Sequence, residues 1–148
     1  MSSSTACRLV ALSVVIACVW VRTAGQKPPD AKIVLFCDMA ADPVKFDGQL
    51  VKTQAQYSGS DHGALLTSSS CPSPSGSKKY ANPRWGSSFD SSSRNAKILT
   101  TLLRKHETAD VTVTGVVHAK AGVWYGIYDA PFEIDLQKID EIKRDPNP

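Results

Sequence analysis

From Leu50 to Tyr57 every second residue changes character, and this alternation limits the fold more than any other feature of the chain. Val51, Thr53, Ala55 and Tyr57 fall on one side and Lys52, Gln54 and Gln56 on the other. Side chains of an extended strand point to opposite faces in turn, so the pattern predicts a strand with one dry and one wet face. A second stretch, Asp110 to Lys120, repeats it. Val111, Val113, Val117 and Ala119 share a face interrupted by Gly115, while Thr112, Thr114 and His118 face away. A glycine at such a position marks a bend, a bulge or a close backbone approach. Two half-wet strands require partners that complete a common core, which points to a mainly β domain.

The remaining elements are shorter. Ile33-Val34-Leu35-Phe36 is an apolar run consistent with a buried strand, with Asp38 placed to cap one helical turn over Met39-Ala40-Ala41 before Asp42-Pro43. Phe46-Asp47-Gly48 is a turn signal. Residues 58–63 predict a hairpin loop, with Ala64 to Thr67 as the returning strand. Ser68 to Ser93 is rich in serine and proline and predicts a long surface excursion with a short strand near Arg84 to Phe89. Ser93 or Asn95 can cap a helix from about Ala96. Its apolar stripe is Ile98, Leu99, Leu102 and Leu103, with Lys97, Arg104 and Lys105 at or near the other face. Val123 to Tyr128 is an aromatic-rich candidate strand. Phe132 to Ile142 fits both a strand and a helical face; the apolar run after Pro131 favours a strand with a bulge near Lys138. Residues 143–148 form a tail expected to be disordered.

The first 25 residues belong to another category. Arg8 precedes the apolar run Leu9 to Val21, which is too short to span a bilayer that needs about 20 apolar residues, and Thr23-Ala24-Gly25 follows with small side chains. This predicts a signal peptide over 1–25, cleavage before Gln26, and a flexible lead-in over 26–32. The alternative is lipidation at Cys18, since Val15-Ile16-Ala17-Cys18 resembles a lipobox. The chain is therefore expected to be exported, periplasmic or secreted, or else membrane-anchored through Cys18. Cys7 and Cys18 lie in the leader, so Cys37 and Cys71 remain as an even pair. An oxidising compartment favours a disulfide between them, stabilising by roughly 3–4 kcal/mol. Nothing near either cysteine has metal-ligand spacing, and His62, His106 and His118 are scattered, so no metal and no cofactor is expected.

Strand, strand, irregular strand, helix, strand, strand is the order of an OB-fold-like five-stranded barrel, with one helix between strands 3 and 4, over residues 33–142. The sequence also resembles small exported OB-fold-like bacterial proteins. The resemblance rests on Pro43, Phe46, Gly48 and Val51 followed by the alternating strand, on Cys71-Pro72, on Val111-x-Val113-x-Gly115, and on Tyr125-Gly126 before the last aliphatic strand. It implies a fold and a compartment outside the cytoplasm, and it carries no active site.

Charge and motifs narrow the function. Of 17 basic residues, Arg8 and Arg22 lie in the leader, leaving 15 against 14 acidic ones. A near-neutral exported domain is not expected to bind nucleic acid. The chain has no G-x-S-x-G elbow and no phosphate loop, and Asp61, His62 and the abundant serines form no recognisable triad, so no catalytic residue and no enzyme activity is expected. The candidate binding face is Lys52, Gln54, Gln56, Trp85, Trp124 and Tyr125. Its expected partner is an envelope component: a peptide, a glycan or a protein. The alternative is a structural or accessory lipoprotein domain without a small ligand.

Overall fold

A computed structural model of the chain describes residues 30–60, 62–71 and 79–144. The leader, its cleavage point and Cys18 lie outside the described residues. The elements in chain order are β1 (Lys32–Ile33), α1 (Phe36–Ala41), a 3-10 turn (Pro43–Phe46), β2 (Leu50–Ser60), β3 (Gly63–Thr67), β4 (Ala81–Trp85), α2 (Arg94–Arg104), β5 (Thr108–His118) and β6 (Phe132–Arg144).

Five strands close into a barrel. β2 pairs antiparallel with β3, β3 with β4, and β4 runs parallel to β6. β6 then pairs antiparallel with β5, which returns to β2. With α2 between the third and fourth barrel strands, this is the OB-like architecture expected from the element order. β2 and β5 behave as their alternation requires. Val51, Thr53, Ala55 and Tyr57 are buried against Ala109, Val111, Val113 and Val117, and the intervening polar residues face outward. Leu66, Ala81, Phe132, Ile134 and Leu136 complete the interior. Burial pushes the Tyr57 phenol well above its usual range. The Thr53 hydroxyl is buried in the same interior without a hydrogen-bond partner.

α2 begins where the sequence allows. Ser93 is its N-cap, and the Ser93 hydroxyl accepts a hydrogen bond from the Ala96 N–H. Asn95 has a different task, since its amide donates to the carbonyls of Ile139 and Asp140 and ties the helix to β6. Leu99 and Leu102 enter the core, and Leu103 lies against Gly59 at the far end of β2.

The last strand explains its own ambiguity. Against β5, the register of β6 slips at Gln137 and again at Asp140, on either side of Lys138. Each slip adds one residue, so the inward side chains are Phe132, Ile134, Leu136 and Ile139, with half-buried Ile142 next. Spacings of two that widen to three imitate a helical period. The strand also continues to Arg144, which pairs with Ala109, so the expected tail over 143–148 starts too early; residues 145–148 lie outside the described residues.

Four expectations need correction. The run Ile33 to Phe36 is not a buried strand. β1 has two residues paired parallel to Val51 and Lys52, Ile33 and Leu35 are 82% and 69% exposed, and Phe36 already begins α1. The run's last bond to β2 is from the Val34 N–H to the Lys52 carbonyl, and the chain then leaves the edge to enter α1. The N-cap of α1 is Leu35, and Asp38 lies inside its first turn instead of capping a later one. The third barrel strand is Ala81–Trp85, not residues 84–89, because the chain turns at Gly86, whose carbonyl accepts from the Phe89 N–H. Val123 to Tyr128 is not a strand. Gly122, Gly126 and Asp129 all have left-handed backbone, which leaves only the bridge between Tyr125 and Ala130.

Candidate functional site

Strand register places polar side chains in rows across the outside of the barrel. Gln54 stands beside Thr112 and Thr112 beside Glu141; Gln56 stands beside Asp110 and Asp110 beside Lys143. These six side chains floor a groove of about 540 Å³. Leu35, Phe36 and Cys37, which follow β1, and Ser68, Ser69 and Ser70, which follow β3, both border it on the β2 side. The two segments are tied together into one wall, because Cys37 and Cys71 form a disulfide with their Cα atoms 5.0 Å apart. The expected cross-link is present, and it holds the edge of a groove as well as closing a loop.

Neighbouring parts of the same face differ in how their polar groups are used. Lys52, next along β2, belongs to a self-contained cluster. Its ammonium lies 3.7 Å from Asp140, which also accepts from the Thr114 hydroxyl at 2.6 Å and pairs with Lys138 at 2.7 Å. Burial alone would push the Asp140 carboxyl up. The bonds from Lys138 and Thr114, with the positive charges of Lys138 and Lys52, outweigh it and hold the carboxyl below the usual carboxylate range. Across the β4 side, Arg84 pairs with Glu133 and Asp135 at 3.3 Å each, and Asn82 donates to Glu133 at 2.7 Å. In the groove, by contrast, Glu141 and Lys143 neutralise one another at 3.2 Å. Among the described residues, no internal hydrogen bond engages the side chains of Gln54, Gln56 or Thr112.

The six residues of the predicted face therefore separate into three places. Gln54 and Gln56 lie in the groove and Lys52 beside it. Trp85, 44% exposed, ends β4 and packs on Phe89 with ring centroids 4.5 Å apart. The two rings border a smaller cleft against Ala96 and Thr100 of α2. Trp124, 59% exposed, and half-buried Tyr125 belong to the β5–β6 connection. That connection is fastened to the barrel through Tyr128, whose hydroxyl is 2.6 Å from that of Ser60 and whose carbonyl accepts from the Tyr80 hydroxyl. Asp110, Thr112, Glu141, Lys143 and the cross-linked wall are not evident in the sequence. The alternation showed that Thr112 faces outward, but only the pairing of β2 with β5 and of β5 with β6 brings it beside Gln54.

No set of three or more His, Cys, Asp and Glu side chains among the described residues is arranged to hold a metal ion. No protein-family model, curated protein or solved structure matches the chain.

Proposed function

We propose that this chain is an exported, non-catalytic binding domain that recognises a cell-envelope component through the groove across β2, β5 and β6. One observation carries the reading: Gln54, Gln56 and Thr112 present unengaged hydrogen-bonding groups in a groove whose wall is fixed by a covalent cross-link. Polar groups that converge on a rigid concave surface and are not spent internally are what a recognition site requires. The groove volume of about 540 Å³ falls within the roughly 300–1,000 Å³ of ordinary ligand sites. The disulfide fits an oxidising compartment, which supports export. The resemblance to small exported OB-fold-like bacterial proteins agrees with that address.

The test is retention on isolated cell-wall sacculi and on a membrane fraction. The Gln54→Ala/Gln56→Ala double variant should lose retention while keeping the wild-type melting curve, and Trp124→Ala should keep both. Retention lost with Trp124→Ala and kept with the glutamine pair would move the site to the β5–β6 connection.

A further inference from the structure

The groove has a chemical bias, and the following rests on its being the binding site. Its central floor groups, the Gln54 and Gln56 amides and the Thr112 hydroxyl, are uncharged, and each both donates and accepts hydrogen bonds. The serines that follow β3, Ser68 to Ser70, offer the same capacity. Formal charge does not dominate. Glu141 and Lys143 cancel each other, and Asp110 remains as one exposed acceptor. An anionic ligand would meet a slightly acidic floor in which, among the described residues, the one lining cation, Lys143, already stands beside Glu141. A peptide anchored by apolar side chains would need apolar pockets, and the groove offers one exposed apolar residue, Leu35, at its lip. Sugar hydroxyls also donate and accept, so they match such a lining group for group without burying an unpaired charge. We infer that the groove binds an uncharged, polyhydroxylated chain, namely a neutral glycan.

The experiment titrates the isotope-labelled protein with cellohexaose, N-acetylchitohexaose and maltohexaose, and separately with hexalysine and hexaglutamate. The side-chain amide signals of Gln54 and Gln56 are followed by NMR and affinities are measured by calorimetry. At least one neutral hexasaccharide is expected to shift both amides. The Gln54→Ala/Gln56→Ala variant should weaken that binding roughly tenfold or more. Because the ligand is neutral, Kd should change by less than about twofold between low and high salt. If a charged hexapeptide shifts these amides and no sugar does, the glycan assignment is overturned while the groove stands as a site. If a sugar binds but moves only signals of the β5–β6 connection, both assignments are overturned. Failure of all five probes, with envelope retention still dependent on Gln54 and Gln56, overturns the glycan assignment alone. A steep loss of affinity with salt does the same.

Discussion

Replacing both Cys37 and Cys71 with alanine removes a cross-link that closes a sequence separation of 34 residues. In the chain-entropy treatment a loop of that size restricts the unfolded chain by about 13 cal/mol/K, or about 3.8 kcal/mol at 25 °C. Cys71 is also buried against the core, so truncating it adds a small packing loss of the same sign. Domains of this size unfold with a net stability of about 5–15 kcal/mol, so the variant should stay folded with much of its margin gone. The melting temperature should fall by about 10–20 °C. Urea titration followed by circular dichroism measures the difference directly, and wild-type protein under reductant should give nearly the same curve as the variant. A loss below about 1 kcal/mol would refute the reasoning. It would mean that residues 37–71 are already compact in the unfolded chain, so that the cross-link removes little freedom.

Three other outcomes follow from single positions. Thr53→Val removes the buried hydroxyl that has no partner while keeping its shape, and should raise stability by about 1–2 kcal/mol in the same urea titration. Gly115→Ala should lower stability by about 1–3 kcal/mol, because the new methyl would sit 2.6 Å from the Asp135 carbonyl oxygen and 2.8 Å from Ile134 Cγ2; a neutral result would show that β6 can move aside. Asp140 is held below the usual carboxylate range in the folded protein, so its contribution is complete above the unfolded carboxylate pKa and disappears as pH falls through the folded value. Asp140→Asn should therefore be less stable than wild type near pH 7 and approach it in acid, as measured by thermal melts from pH 7 down to pH 2.

Much of the barrel was legible because its two longest early strands follow a strict period of two. Val51 through Tyr57 and Val111 through Val117 each needed only one dry face to explain them, and Ser93 marked the start of α2 to within two residues. Legibility failed where tertiary pairing decides. Nothing in the apolar run at Ile33 shows that the chain turns away from β2 at Phe36 to begin α1, and that turn leaves only a two-residue strand. The aromatic segment from Val123 has a composition that suits a strand, while left-handed backbone at Gly126 within it, and at Gly122 and Asp129 on either side, prevents one. The groove was half visible: Gln54 and Gln56 stood out as the wet side of a strand, but their neighbours come from β5 and β6, more than 50 residues away in the chain. The two exposed tryptophans share only chemical type with them, and the fold separates the three locations.

The parallel β4–β6 pairing sets a condition on the order of assembly. β6 is the latest of the barrel strands in the chain, yet it seats between β4 and β5, both of which precede it. Any fragment that stops short of Phe132 must hold two unsatisfied strand edges and lack Phe132, Ile134 and Leu136 from its interior. A chain still emerging from the ribosome therefore has no closed intermediate in which to rest, and the barrel can close only once β6 is complete.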